Sequence, residues 1–312
     1  MDIGKDAAAA LRGGPAPRTR GPTLRGLVAV CGLLAAASRG LPRFLERLAR
    51  WTSVDVPDGG DCLFVGGGGH GAVLFRYGQL QAFLRESRSN VTEVFCSSAG
   101  CMAAAFALAG LPRSSIGEVY KTVYDRVDAR HVTFPRPDAV VDYSSEELVS
   151  RIERENLEVL ERQLNVLTVT AGGLTARQPR GPAHLAEILR ATTWIPYLTS
   201  NALYHAGTDG RRHVDGDFVT NFFPPRCRDT LGPPPFWTSS ALAWHALIPV
   251  RDEETMFGLV EAGSRYQARR MGRARQRTTE DPSGGEVKRD PEIVGSMAQV
   301  GLESSSQMKQ AL

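Results

Sequence analysis

Residues 62–86 read CLFVGGGGHGAVLFRYGQLQAFLRE. Cys62-Leu63-Phe64-Val65 is a short unbroken apolar run, the pattern of a strand buried on both faces of a parallel sheet. It stops at Gly66-Gly67-Gly68-Gly69-His70-Gly71. Over 72–86, Val73, Leu74, Tyr77, Leu80, Phe83 and Leu84 recur at helical spacing. Residues 91–96 (VTEVFC) predict a second strand, Ser97-Ser98-Ala99-Gly100 a sharp turn, and 101–110 (CMAAAFALAG) a buried Ala-rich helix. Strand, glycine loop, helix, strand, turn, helix over 61–110 predicts parallel strands joined by right-handed crossovers.

Beyond this unit the pattern continues. Residues 145–163 (SEELVSRIERENLEVLERQ) predict one amphipathic helix with a charged outer face, and 164–170 (LNVLTVT) another strand. Residues 182–190 predict a helix opened by Pro182, a favoured place for proline. Residues 246–250 predict a last strand and 252–272 a last helix. Past about 278 the chain turns polar and is expected to fray.

The 312 residues are 42% hydrophobic and 23% charged, which suits one large α/β domain with extensions, or two small domains. A net charge of +3 demands no nucleic-acid partner. The cysteines, at 31, 62, 96, 101 and 227, are odd in number and lack a CxxC pair. They read as free buried thiols, which favours a reducing compartment. No apolar run reaches the ~18 to 20 residues that span a bilayer. Residues 26–38 (GLVAVCGLLAAAS) are apolar and lie among arginines, with no acid between residues 7 and 45. This suits a targeting segment or a membrane-lying anchor, and equally an extension ending in a helix near 40–51. The resulting domain reading is an N-terminal extension over 1–55, a main α/β domain over 56–265, and a basic, largely disordered tail over 266–312.

Three features carry chemistry. Gly66, Gly68 and Gly71 match G-x-G-x-x-G, but the following strand ends in Cys96-Ser97-Ser98 instead of the acid that would hold a ribose. Nucleotide binding is therefore disfavoured. A glycine run beside a helix N-terminus can instead aim several N–H groups at one anion, and in acyl transfer that anion is the oxyanion. Cys96-Ser97-Ser98-Ala99-Gly100 fits a nucleophile elbow, with Cys96 where G-x-S-x-G has its first glycine. The competing role for Ser98 is a helix N-cap. His213-Val214-Asp215-Gly216-Asp217 supplies a carboxylate, and a hydroxyl nucleophile needs such an adjacent base.

Taken together, FVGGGGHGAVLFRYGQLQAFL (64–84), FCSSAGC (95–101), RATTWIPYLTS (190–200) and HVDGDFVTNFFP (213–224) resemble, in order, the motifs of the patatin-like phospholipases. The resemblance covers roughly residues 61–260. It implies a three-layer α/β/α fold with a mainly parallel sheet and a lipid acyl hydrolase working through a Ser98–Asp215 dyad. Gly66, Gly67, Gly68, Gly69 and Gly71 would form the oxyanion loop, and Cys96, Ala99, Gly100 and Gly216 would support the elbow. It also implies no metal or organic cofactor and a phospholipid or other acyl lipid as substrate; the arginine run near 265–277 and the N-terminus add a peripheral membrane surface as a candidate partner. Three departures stand out: Cys96 for glycine, His70 for Arg or Lys, and Asp217 for Gly or Ala.

Rival readings are a Ser98–Asp215–His245 triad, a catalytically inactive lipid-binding scaffold, and a nucleotide-binding oxidoreductase. Core packing is the expected role for most of Phe218, Phe222, Phe223, Phe236 and Trp237. The arginines at 265, 269, 270, 273, 275 and 277 read as a solvated face, or as a contact for anionic headgroups.

Overall fold

The structure is a computed structural model that describes residues 46–56, 61–69, 71–86, 91–129, 137–197, 199–200, 202–231 and 250–280, apart from the side chains of 137, 138 and 274–280. The chain divides into residues 1–49 and 50–312. Of the first unit only 46–49, which are helical, are described, and every labelled element belongs to the second. The apolar segment 26–38, His70, Phe236, Trp237, His245 and the strand expected from 246 lie outside the described residues, except for Val250.

In chain order the elements are β1 (Cys62–Val65), α1 (Ala72–Glu86), β2 (Glu93–Ser97), α2 (Ala99–Leu108), α3 (Arg113–Ala129), α4 (Pro137–Ser150), α5 (Arg154–Gln163), β3 (Leu164–Thr170), β4 (Gly173–Arg177), α6 (Pro182–Thr192), β5 (His205–Ala206), β6 (Arg212–Asp215), α7 (Asp217–Thr220), β7 (Asp229–Leu231) and α8 (Glu253–Glu280). The fold is mixed α/β. Its central sheet runs β5-β6-β3-β2-β1-β7, with β4 also paired to β3. The centre, β7-β1-β2-β3, is parallel, as the 61–110 pattern predicts. The pairings of β3 with β4, β3 with β6 and β5 with β6 are antiparallel.

Strand alternation divides the core. Leu63, Val65, Val94, Cys96, Leu164 and Val166 face one side, where they meet α1 to α6 and α8. Cys62, Phe64, Phe95, Leu167 and Val169 face the other, where the described cover is Val219 of α7 with Val54, Val56 and Cys227. The helix behind the glycine loop is held closely. A Cβ on Gly78 would lie 1.9 Å from the Val260 carbonyl oxygen and one on Gly263 2.0 Å from that of Phe75, so α1 and α8 cross nearly backbone to backbone.

Strand β3 has three partner strands, and its register explains how distant parts of the chain meet. Val166 and Leu167 pair with Cys96 and Ser97 of β2, while Thr168 and Val169 pair with Asp215 and Val214 of β6. β4 pairs with all four of these residues. A strand has only two edges, so β2 and β6 share one edge of β3 end to end. β2 leaves at Ser97 where β6 arrives at Asp215.

Several expectations are corrected. The helix expected over 145–163 is two helices, α4 and α5, broken at 151–153. The break lets α4 pack on α3 and α6 while α5 turns toward β2 and β3, which one straight rod could not do. The packed body also extends past residue 265. α8 runs to Glu280, with Gln267 buried and Tyr266 and Met271 against the core.

The four cysteines among the described residues are not free thiols. Cys62 pairs with Cys227, and Cys96 with Cys101. Leu63 lies opposite Asp229 in the parallel β1–β7 pair, which brings together the ends where the two strands start, with Cys62 one residue before Leu63 and Cys227 two before Asp229. The turn from β2 into α2 doubles the chain back, placing residue 101 beside 96 with their Cα atoms 4.9 Å apart. The thiol argument for a reducing compartment falls with this pairing. The Cys62–Cys227 bridge closes a separation of 165 residues, for which chain entropy predicts a stabilisation of about 5 kcal/mol. Replacing both by alanine is expected to lower the unfolding free energy in urea by an amount of that order. An unchanged midpoint, or free-thiol titration of the native protein at these positions, would show that the bridge does not form.

Candidate active site

Ser98 closes β2 and opens α2 with φ 51° and ψ −135°. A positive φ is strained for a residue with a Cβ, and it is the backbone that a nucleophile elbow requires. The tight passage is enforced from behind: a Cβ on Gly100 would sit 2.5 Å from the Val65 carbonyl oxygen and 2.6 Å from that of Gly66. The N-cap role is not taken. Ser98 occupies the cap position, but its side chain makes no capping bond. Its hydroxyl instead donates to Asp215 Oδ2 at 2.7 Å. The elbow is tethered from α6 as well, because Ser98 N–H donates to Thr192 Oγ1 at 2.9 Å, and that hydroxyl donates to the Leu167 carbonyl at 2.6 Å.

Asp215 is 1% exposed. Its other oxygen, Oδ1, accepts the N–H of Asp217 at 2.8 Å. Both carboxylate oxygens are thus engaged, and the serine bond is direct, with no imidazole between. His213, two residues back, is buried and bonded to other partners. Its Nδ1 lies 3.0 Å from Thr168 Oγ1 and its Nε2 3.0 Å from Asp209 Oδ1, a structural role. Burial raises the Asp215 carboxyl well above the ordinary carboxylate range, and the neighbouring Asp217 raises it further. The Asp217 N–H and the Ser98 hydroxyl oppose this.

The second carboxylate links the loop to the elbow. Asp217 Oδ1 accepts the Ser97 hydroxyl at 2.5 Å and the Gly67 N–H at 3.2 Å. Burial also raises Asp217, against the pull of Ser97, the Gly67 N–H, Arg76 and Thr220. Arg76, fully buried on α1, donates from Nη2 to the Gly67 carbonyl at 3.2 Å and from Nη1 to Gln79 Oε1 at 2.7 Å. Burial pushes its guanidinium down to about 9 while Asp217 pulls it up, so it stays cationic at neutral pH.

The structure brings Ser98, Asp215 and Gly67 together. A Cβ on Gly67 would lie 2.2 Å from Asp217 Oδ2 and 2.5 Å from Ser98 Cβ, so only glycine fits. The five loop glycines are not equivalent, however. Gly66 N–H donates to the Leu231 carbonyl and Gly67 N–H to Asp217. Among the described residues the N–H groups of Gly68, Gly69 and Gly71 have no such partner; Gly68 and Gly69, which follow the clamped Gly67 directly and lie at positive φ, are the candidate oxyanion donors. Gly216 backs the elbow, with room for no Cβ between the Leu167 carbonyl and Ser97. Ser97, Thr192, Arg76 and Thr220 escape a reading of the sequence, since nothing in their local pattern marks them. The aromatic expectation is also corrected. Phe218, Phe222 and Phe223 are 53%, 77% and 47% exposed, because Val219 and Thr220 take the buried side of α7.

Among the described residues no group of three or more His, Cys, Asp or Glu could hold a metal ion, and no helix is long and apolar enough to cross a membrane. Compared with protein-family models the chain matches none, and no curated protein matches it.

An acid whose folded-state pKa is raised binds its proton more tightly in the native than in the unfolded state. Native stability therefore falls as pH rises above the unfolded value of about 3.9. Asp215→Asn removes that burden and keeps the shape. It is expected to raise the melting temperature at neutral pH, with the gain shrinking as pH falls toward 4 and vanishing below it. Thermal denaturation against pH checks this; a variant less stable than wild type at neutral pH would contradict the buried, raised carboxyl.

Proposed function

We propose that this chain is a lipid acyl hydrolase of the patatin-like type, a three-layer α/β/α enzyme that cleaves carboxylic esters through a Ser98–Asp215 dyad. The observation that carries the reading is the 2.7 Å bond from a strained Ser98 to a buried carboxylate, beside a glycine loop. In the reaction, Asp215 takes the Ser98 proton as Oγ attacks the ester carbonyl. The N–H groups of Gly68 and Gly69 receive the developing oxyanion, donors of a kind each worth roughly 3 kcal/mol of barrier. Collapse expels the alcohol, which carries off the proton from Asp215, and leaves an acyl ester on Ser98. Water, deprotonated by Asp215, then releases the fatty acid and restores the serine. A carboxyl raised above its ordinary range is a better proton acceptor for this base work. None of these steps calls for a metal or organic cofactor.

An acyl lipid is the substrate class that suits the surroundings. Phe218, Phe222 and Phe223 follow the dyad in sequence and stand in solvent, as expected of a surface that meets a lipid interface. The arginine run takes a smaller part, since Arg265 pairs with Glu261 and Arg270 donates to the Thr230 carbonyl.

The test is a panel of phospholipid, galactolipid, triacylglycerol and lysolipid esters, given as vesicles or micelles to wild type, Ser98→Ala and the double variant Phe222→Asp, Phe223→Asp. Wild type is expected to release fatty acid, and Ser98→Ala to lose at least about 10³-fold. The double variant is expected to keep activity on a soluble short-chain ester and lose it on vesicles. Hydrolysis that survives Ser98→Ala would overturn the dyad. Vesicle binding without any hydrolysis would favour an inactive scaffold.

A further inference from the structure

Asp217 stands where the resembled family has glycine or alanine, and the dyad does not need its side chain. It is nevertheless buried and sits at the junction of three elements. We propose that Asp217 is a positioning residue for acyl transfer, a carboxylate clasp that holds the glycine loop against the serine elbow through the Gly67 N–H and the Ser97 hydroxyl. The inference rests on the acyl-transfer reading above.

The geometry is that of a latch. One oxygen, Oδ1, bridges a loop amide at 3.2 Å and the hydroxyl next to the nucleophile at 2.5 Å. Ser97 Oγ lies 2.9 Å from Thr220 Oγ1, which fixes the hydroxyl toward the carboxylate. On its other side Gly67 is held by Arg76, whose guanidinium takes the carbonyl of the same residue whose N–H Asp217 takes. Gly67 is thus clamped at both ends of its backbone between a buried anion and a buried cation. The next two amides, the candidate oxyanion donors, are aimed by whatever fixes Gly67. A donor fixed before the reaction costs no reorganisation in the transition state. An alanine or glycine at 217 could not make these bonds, so in this chain the clasp supplies an order that the four-glycine run would otherwise lack.

The clasp also carries charge. Among the described residues the groups facing Asp217 are Asp215 from β6, Arg76 from α1, Ser97 from β2, the Gly67 N–H from the loop and Thr220 from its own helix. Arg76 is the cation among them, and Asp215 is the like charge. Asp217 therefore makes it harder for Asp215 to lose its proton, and removing the charge at 217 would let Asp215 ionise at lower pH.

The experiment compares wild type, Asp217→Asn and Asp217→Ala on a soluble short-chain ester over a range of pH, with hydrogen exchange of the peptide containing Gly66 to Gly71 measured in parallel. Asparagine keeps an acceptor oxygen, so it is expected to retain most of the plateau kcat and the exchange protection while its acid limb moves to lower pH. Alanine is expected to speed exchange of the loop and to cut kcat by about 100-fold, the scale of a small misplacement of reacting groups, with a smaller change in KM. Wild-type kcat in Asp217→Ala overturns the clasp, whatever the exchange shows. If the alanine variant does not fold, the asparagine variant decides, and an unmoved acid limb counts against the proposal. If wild type itself cleaves no ester, the acyl-transfer reading fails and takes the positioning role with it. If wild type cleaves and the variants match it, the clasp alone fails.

Discussion

A hydroxyl and a carboxylate that are 117 residues apart in sequence share one hydrogen bond, Ser98 to Asp215, with both side chains buried. Almost every local choice around it serves that bond. β2 and β6 must both end at the same point along one edge of β3, or the two residues would not meet. Ser98 must accept a backbone conformation that disfavours side chains, and residues 67, 100 and 216 must have none, because backbone or carboxylate fills the space. Thr192 ties the serine's own amide to the neighbouring strand.

The arrangement is costly. Two buried carboxyls lie beside each other, and their burial together with their mutual repulsion opposes ionisation. The compensation is local and specific: five hydrogen-bond donors and one buried guanidinium, distributed so that each carboxylate has partners of its own. Sites that are poised for proton transfer carry such strain in general, and the surrounding core must supply the stability. Here that core is the helical face of the sheet, with the close crossing of α1 and α8 behind the glycine loop and the Cys62–Cys227 bridge at the rim.

Much of this was legible in the residues. The apolar run, the glycines and the helical spacing over 62–86 set β1 and α1 at their observed bounds, and the elbow and the Asp-Gly pointed to the two residues that meet. What escaped was everything that depends on register or direction. The disulfides follow from which residues lie opposite one another across β1 and β7 and around the elbow, which spacing in sequence does not reveal. The break at 151–153 is imposed by where α4 and α5 must pack, against an unbroken helical pattern. Phe218 and Phe222 look like core by composition, and only the orientation of α7 turns them outward. The helix α3 is a different kind of miss: Ile116, Val119, Tyr120, Val123, Tyr124 and Val127 are spaced by three and four and are all buried, so its signal was present in the sequence.

The central claim is that Ser98 is an activated nucleophile facing amides that wait for a negative oxygen. A crystal structure of the protein after treatment with an alkyl fluorophosphonate tests it most directly. The account predicts phosphorus bonded to Ser98 Oγ, the phosphoryl oxygen within hydrogen-bond reach of the Gly68 and Gly69 N–H groups, and Asp215 beside the modified serine. Phosphorus on another residue, or a phosphoryl oxygen turned away from those amides, would contradict it.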